Sequence, residues 1–170
     1  LVTEKDGLSA GTAIAARAHF GLAATDLPSG RELHPTGEQQ GRASAAWWGA
    51  TMRGGLVCIS VYCHDTIGCT AAPNQQLWQQ VAEFAAALRV PYIIAGDFND
   101  TPDNLTAAGW LLTMDAVIVA PEAATCNGKT YDFFIVSNRL RHAAIYCVVI
   151  DDAAFGPHLP DLVTQALTCL

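Results

Sequence analysis

The sequence predicts an α/β fold, in which sheets of β-strands pack against α-helices. Short apolar runs that end at Gly, Pro, Asp or Asn recur along the chain, and this pattern is typical of buried strands. One longer segment, residues 74–88, instead repeats its apolar residues at helical spacing. Strands outnumber helices and the helices come singly between strands, which indicates a sandwich of sheets flanked by helices.

The predicted strands occupy most of the chain. Before the long helix they are residues 12–18, 45–48 and 56–62, and a Met-Arg-Gly-Gly turn joins the last two. After it they are residues 92–96, 115–119, 131–136 and 144–150, and residues 162–167 are either a last strand or a tail. Residues 25–40 are rich in Pro, Gly, Ser and charged side chains, so we expect a loop there, with at most a short edge strand.

Both predicted helices have recognisable starts. Pro73 precedes the first helix, and Asn74 is a plausible N-cap because its side chain can accept a hydrogen bond from a free backbone amide. The second helix is short, residues 102–108, with Thr101 as its cap and Pro102 at the first helical position. The helix boundaries therefore rest on capping chemistry as well as on periodicity.

Composition indicates one domain, residues 1–170, because 170 residues that are 51% hydrophobic can bury a real core. No apolar run reaches the roughly 18 residues of a membrane span, and we see no signal peptide. The chain begins with Leu1 instead of Met, so we expect a fragment or a processed piece. Six cysteines without a zinc spacing lie mostly in apolar runs, which predicts small buried side chains and an intracellular, reducing compartment. The oligomeric state has no signal in the sequence.

The net charge of −7 disfavours a general nucleic-acid-binding domain. Such domains are usually basic, because neutralising phosphates supplies much of their affinity. The nine Lys and Arg residues are scattered and form no stripe. A metal-dependent site can be locally acidic, so the charge lowers the expectation of a nucleic-acid partner without excluding it.

A Gly-Asp-Phe-Asn sequence, residues 96–99, ends a short apolar strand. Side chains at i and i+2 of a strand share a face, so Asp97 and Asn99 are expected to point the same way, with Phe98 in the core. A carboxylate beside a carboxamide suits a divalent cation, or a phosphate with its attacking water. The alternative is an Asx-type turn that closes the strand.

Two further motifs follow this one. Asp132 opens another apolar strand that ends in Ser137, and a Gly-Pro-His-Leu-Pro segment carries His158. In this order the three motifs resemble the endonuclease/exonuclease/phosphatase superfamily, over roughly residues 10–165. The resemblance implies a four-layer α/β sandwich (DNase I-like) with its site at one edge of the packed sheets. It also implies hydrolysis of phosphodiesters or phosphomonoesters with a divalent metal, Mg²⁺ or Mn²⁺, and nucleic acid or another phosphodiester as partner. Endonuclease domains of this type also occur in retroelement polyproteins.

The resemblance assigns a role to each motif residue. Asp97 takes the water-orienting or general-base place and is the plausible metal ligand, and Asn99 takes the phosphate-binding place. His158 matches the histidine that contacts the scissile phosphate, and Asp132 matches the acid that holds it. Tyr62 matches a strand-end tyrosine, and His64 is an alternative to it. These residues have a purely structural alternative as well: a strand-end side chain for Tyr62 or His64, and a surface histidine for His158.

The chain also departs from the family pattern. We find no counterpart of the two early strands that end in Asn and in the metal-binding Glu, and Pro157 stands where the family carries an Asp. The sequence therefore predicts a sandwich that lacks its first one or two strands and holds Mg²⁺ weakly, if at all, because few carboxylates remain. Two functions stay open. One is an endonuclease-like phosphodiester hydrolase with weak or no activity in this chain, and the other is a non-catalytic binding module or remnant that keeps the fold.

Overall fold

The structure is a computed structural model, and it describes residues 2–4, 11–17, 21–23, 32–50, 52–150 and 161–165. Its strands, numbered in chain order, are β1 (Val2–Glu4), β2 (Gly11–Ala13), β3 (Leu22–Ala23), β4 (Ala43–Trp48), β5 (Leu56–Tyr62), β6 (Tyr92–Asp97), β7 (Ala116–Val119), β8 (Asp132–Ser137), β9 (Ala144–Val149) and β10 (Asp161–Gln165). Its helices are α1 (Ala72–Ala87), α2 (Pro102–Ala107) and α3 (Trp110–Met114). Short 3₁₀ turns lie at Gly37–Gln39 and Asn138–Leu140.

Six strands form the main sheet, in the order β3-β4-β5-β6-β8-β7. β5 and β6 are parallel, and every other neighbouring pair in this sheet is antiparallel. A parallel pair needs a long crossover, and α1 supplies it between β5 and β6. Both strands consequently end at the same edge of the sheet.

One face of the sheet packs against the helices and forms the main core. Trp78 of α1 is fully buried and stacks on Phe98 with ring centroids 5.5 Å apart. Phe98 in turn contacts Phe133 of β8 at 4.3 Å between centroids. Alternate strand residues such as Ile59 and Ile94 are also buried on this face. The prediction that Phe98 turns into the core is confirmed.

The opposite face of the sheet carries a second layer of strands. β1 and β2 pair as an antiparallel ladder, and β2 packs against β4 and β5. β9 and β10 pair likewise, with β9 against β7 and β10 against β8. Thr12 of β2 donates a hydrogen bond from Oγ1 to Ser44 Oγ at 3.0 Å, and this contact ties the layers together. Helices, sheet and a further strand layer are the arrangement that the predicted α/β sandwich requires.

Most strand predictions are confirmed, and β5 has the predicted bounds. β2 is shorter than predicted, since it covers Gly11–Ala13 and not residues 12–18. The N-cap prediction for α1 is wrong: the cap is Ala71, and Asn74 lies inside the first turn with its side chain buried. Helix α3 was not predicted, because five residues are too few to show a helical period.

No helix among the residues that the structure describes is long and apolar enough to cross a membrane. The same residues include five cysteines, of which Cys58 is half-buried and the other four are buried. Burial raises the pKa of Cys58 to about 11. These cysteines behave as the small buried side chains that the sequence predicted, and Cys169 lies outside the described residues.

Candidate functional site

Three of the predicted site residues form one row across the sheet. Tyr62 at the end of β5 is the register partner of Asp97 at the end of β6. Asp97 is also the register partner of Asp132 at the start of β8. Register partners on neighbouring strands point to the same face and lie about 4.8 Å apart, so the row spans roughly 10 Å. The structure therefore brings Tyr62, Asp97 and Asp132 together, and their chemical roles stay predictions.

Asn99 joins this row by a different route from the one predicted. β6 ends at Asp97, and Asn99 has φ of +49°, so the alternation of a strand does not extend to it. Instead, the Asn99 backbone N–H donates to Asp97 Oδ1 at 3.0 Å, which is the Asx-type turn of the alternative interpretation. The Asn99 side-chain Nδ2 donates to the carbonyl oxygen of Cys63 at 3.0 Å. The turn, and not the strand, brings the Asn99 backbone N–H to the Asp97 carboxylate, while the Asn99 side chain is held by Cys63.

Asp132 is fixed at the start of β8 by a buried threonine. Thr125 Oγ1 accepts hydrogen bonds from the backbone N–H groups of Tyr131 and Asp132, both at 3.0 Å. Thr125 is only 1% exposed, so this anchor is shielded from water. His158 and Pro157 lie outside the described residues, and the Asp132–His158 pair stays a prediction.

A tight turn beside the row carries Cys126. Its backbone N–H donates to Lys129 O at 2.9 Å, and the Lys129 N–H donates back at 2.8 Å. Asn127 and Gly128 between them have φ of 47° and 77°, the positive values that a two-residue hairpin turn needs and that Asn-Gly favours. The segment is therefore a two-residue hairpin turn, and it leads into the strand that begins with Asp132.

The electrostatics of Cys126 show that the site is acidic. Burial raises the pKa of its thiol, and the carboxylates of Asp132, Asp97 and Asp65 raise it further. The thiol stays protonated at neutral pH and is a poor nucleophile. Asp65, in the loop after β5, is an acid of this site that the sequence analysis missed, because it belongs to no motif.

Tyr62 and His64 both have partners that fix them. The Arg42 guanidinium lies 5.3 Å from the centroid of the Tyr62 ring, and Arg42 Nη1 donates to Tyr62 O at 3.3 Å. His64 is half-buried, and its Nε2 lies 3.0 Å from Gln39 Oε1. Tyr62 belongs to the row by its strand register, and the roles of Tyr62 and His64 stay predictions.

Two buried polar residues near the row were also missed. Asn74 is fully buried in the first turn of α1, and Asp100, directly after Asn99, is 9% exposed. Asn74 was predicted only as a helix cap, and Asp100 belongs to the turn after β6, to which the sequence assigned no role.

The described residues do not by themselves form a tight metal site. The carboxylates of Asp97, Asp132 and Asp65 are hard oxygen donors of the kind that Mg²⁺ prefers. Yet in the part of the chain that the structure describes, no three His, Cys, Asp or Glu side chains converge closely enough to hold a metal ion. The oxygen atoms of these carboxylates are of the type that binds a divalent cation, but too few of them converge on one point to hold the ion tightly.

Comparison with known proteins identifies the family. The model of the endonuclease/exonuclease/phosphatase family matches residues 9–153, which is most of the chain. The chain therefore belongs to the endonuclease/exonuclease/phosphatase family. The resemblance that the sequence analysis stated is confirmed at the level of the family. Curated protein sequences give no match.

Solved structures with similar folds include several nucleases. The Haemophilus ducreyi cytolethal distending toxin has a TM-score of 0.59 at 17% identity, covering 79% of this chain and 57% of the toxin chain. The 3'-5' exonuclease of Neisseria meningitidis has a TM-score of 0.56 at 20% identity, covering 86% of this chain and 70% of its own. The endonuclease domain of TRAS1, a telomere-specific non-LTR retrotransposon, has a TM-score of 0.54 at 13% identity, covering 76% of this chain and 65% of its own.

At these identities the comparisons establish the fold, which is the DNase I-like α/β sandwich that the sequence predicted. The chain spans only about half the length of cytolethal distending toxin structures, with 52% of one such chain covered.

Proposed function

We propose that this chain is an endonuclease-like phosphodiester hydrolase domain whose site is the row of Tyr62, Asp97 and Asp132, together with Asn99. One observation carries the proposal: the strand register places Tyr62, Asp97 and Asp132 abreast on one face, at one edge of the sheet. This arrangement in a member of the family supports a site for a phosphodiester and its attacking water.

In the proposed reaction, a water oxygen attacks the phosphorus atom and forms a new P–O bond while the ester P–O bond breaks. Asp97 orients this water and takes its proton as general base. Asn99 binds a phosphoryl oxygen through its amide, and Asp132 holds His158 against the scissile phosphate. The departing ester oxygen finally takes a proton from solvent. In the structure one N–H of the Asn99 side-chain amide donates to the carbonyl of Cys63, and the second N–H is the donor proposed for the phosphoryl oxygen.

The proposed substrate is nucleic acid or another phosphodiester, in spite of the net charge of −7. Two cations flank the acidic row and compensate for it locally. Arg42 lies over the Tyr62 ring at one end, and the Lys129 Nζ lies 5.7 Å from the Tyr131 ring centroid, next to Asp132, at the other. Each can attract a phosphate on either side of the scissile group.

We expect this chain to turn over slowly and to need added Mg²⁺ or Mn²⁺ at high concentration. The family implies a divalent cation, which relieves charge on the phosphoryl oxygens. The described residues offer too few converging donors to hold it tightly. Weak binding of the ion limits the fraction of molecules that can react.

Nicking of supercoiled plasmid DNA in Mg²⁺ tests the proposal. Asp97→Asn removes the proposed base, and Asp103→Asn is the matched control, because it removes the same charge from an exposed residue of α2. We expect slow nicking that Asp97→Asn abolishes and that Asp103→Asn retains. Nicking that persists in Asp97→Asn would place the chemistry elsewhere, and no nicking by the unmodified chain at any Mg²⁺ or Mn²⁺ concentration would contradict an active hydrolase.

A non-catalytic binding module is the second candidate function. It is favoured by the lack of a converging metal-ligand set among the described residues. The two candidates separate in a binding assay with a labelled single-stranded oligonucleotide. Saturable binding without any turnover, unchanged in Asp97→Asn, would support the binding module.

A further inference from the structure

Two loops meet behind the row of site residues. The first, residues 63–71, connects β5 to α1, and the second, residues 98–101, connects β6 to α2. They touch directly at two points. The Cys63 N–H donates to Asp97 O at 3.0 Å, and Asn99 Nδ2 donates to Cys63 O at 3.0 Å. The position of Asn99 beside Asp97 therefore depends on where the first loop lies.

Asn74 holds the first loop at two points. Its Nδ2 donates to His64 O at 3.0 Å and to Gly68 O at 2.9 Å. Its Oδ1 accepts from the His64 N–H at 2.7 Å. Both amide protons and the amide oxygen are used, and the side chain is fully buried, so no water can replace these bonds.

Asp100 connects the far end of the first loop to the second. Its Oδ2 accepts from the Cys69 N–H at 2.7 Å. Its Oδ1 accepts from the Thr101 N–H at 2.8 Å and from Asn104 Nδ2 at 2.6 Å. A carboxylate that accepts several short N–H bonds is a strong and directional anchor. Asp100 thus ties Cys69 to the residue that follows Asn99.

The tip of the first loop is in a conformation that needs such support. Thr66 has φ of +66°, a value that a β-branched residue rarely adopts. Conformations of this kind persist where the surrounding structure over-determines them, and they cluster at functional sites. The bonds of Asn74 and Asp100 on either side of Thr66 are contacts that can hold it there.

We propose that Asn74 and Asp100 are positioning residues that lock the two loops together and so set the place of Asn99 beside Asp97. The proposal rests on the proposed function for its consequence in catalysis. Asn74 acts through backbone groups of His64 and Gly68, and Asp100 acts through the backbone N–H of Cys69.

Two matched pairs of variants test the proposal in the full chain. Asn74→Asp removes both amide donors, and Gln75→Glu makes the same chemical change at the next, exposed position of α1. Asp100→Asn replaces one carboxylate oxygen by an NH2 group, which cannot accept the N–H bonds from Cys69, Thr101 or Asn104. Asp103→Asn is its control, because it also removes one negative charge, but from an exposed residue nearby. Nuclear magnetic resonance of the ¹⁵N-labelled chain follows the side-chain amide of Asn99 and the backbone amides of His64, Cys69 and Ile59.

We expect both buried variants to move the Asn99 side-chain resonances and to speed hydrogen exchange at His64 and Cys69 at least tenfold. Ile59, in the middle of β5, should keep its exchange rate, which separates loop release from general loss of stability. Gln75→Glu and Asp103→Asn should change none of these signals. Unchanged Asn99 resonances in both buried variants, or equal acceleration at Ile59, would overturn the proposal.

If Asn74→Asp or Asp100→Asn does not fold, the milder variant Asn104→Ala tests the proposal in its place. It removes one hydrogen bond from Asp100 through an exposed side chain, and the Asn99 resonances should then move in the same direction by a smaller amount. An Asn99 signal unchanged in Asn104→Ala would also count against the proposal. Where the unmodified chain nicks DNA, the buried variants should lower kcat at least tenfold with KM within threefold. If the unmodified chain does not nick, the proposed function fails, while the resonance measurements still decide the positioning role.

Discussion

Gly96, which precedes Asp97, should not tolerate even one added carbon. A Cβ built on it lies 1.8 Å from the Val61 carbonyl oxygen and 2.8 Å from the Val61 carbonyl carbon, both atoms of the β5 backbone. Backbone atoms cannot rotate away as a flexible side chain can, so Gly96→Ala must push β6 away from β5. Overpacking of this kind costs about 1–3 kcal/mol, and a backbone clash belongs at the upper end.

At about 3 kcal/mol, and about 2–4 °C per kcal/mol for a chain of this size, Gly96→Ala should lower Tm by roughly 6–12 °C. Thermal unfolding followed by circular dichroism measures this shift. Gly109→Ala is the control: no atom lies within 4 Å of its Cβ, and only its φ of +84° opposes the substitution, at about 1–2 kcal/mol. A Tm of Gly96→Ala within about 2 °C of the unmodified chain would refute the close approach of β6 to β5, and with it the placement of Asp97.

Three further predictions concern the core, the acid response and a thiol. Phe98→Ala should cost about 3–5 kcal/mol in urea unfolding, because a ring that is 1% exposed leaves a cavity; a loss below about 1 kcal/mol would contradict its burial. Burial alone would raise the pKa of Asp100, but hydrogen bonds from Asn104, Cys69 and Thr101 outweigh it and lower that pKa below its ordinary value. A carboxyl group whose pKa is lower in the folded than in the unfolded chain stabilises the fold at pH values above its unfolded pKa of about 3.9. This stabilisation is present at pH 5–7 and is lost as pH falls below about 4. Asp100→Asn should therefore weaken the decrease in the free energy of unfolding at acid pH, and an unchanged decrease would contradict the assignment. Cys126 should react with iodoacetamide at pH 7.5 at least tenfold more slowly than free cysteine, because burial and the neighbouring carboxylates keep it protonated; labelling at the rate of free cysteine, measured by mass spectrometry, would refute this environment.

The sequence predicted the sheet well because its strands are short, apolar and separated by strong turn signals. β5 and β6 are bounded by Gly and Pro residues, and their bounds match the prediction to within one residue. The sequence could not predict the strand order, because nothing local shows that β8 inserts between β6 and β7. The sequence also did not predict α3, because this helix is too short to show a helical pattern of apolar residues and packs against α1 only in the folded chain.

Prediction of the site succeeded for side chains that lie at strand ends and failed for those that act through the backbone. Asp97 and Asp132 were found because an acid at the end of an apolar strand is conspicuous. Asn74 was interpreted as a cap, since an Asn just after a Pro at a helix start fits that role equally well. Its true partners are in a loop up to ten residues away in sequence, at His64, and only the folded chain brings them together.

The topology of the sheet explains why one motif residue stands at a strand start and two at strand ends. β5 and β6 run parallel through the α1 crossover, so Tyr62 and Asp97, each the last residue of its strand, reach the same edge. β8 runs antiparallel to β6, so the residue that reaches this edge is its first, Asp132. A carboxylate at the far end of β8 would lie a strand length away, roughly 17 Å, and could not act with Asp97. The position of each acid within its own strand therefore carries information about strand direction. Moving the carboxylate to the far end of β8, with Asp132→Asn combined with Asn138→Asp at the exposed residue after the strand, should abolish any activity that Asp132 supports, although the net charge of the chain is unchanged.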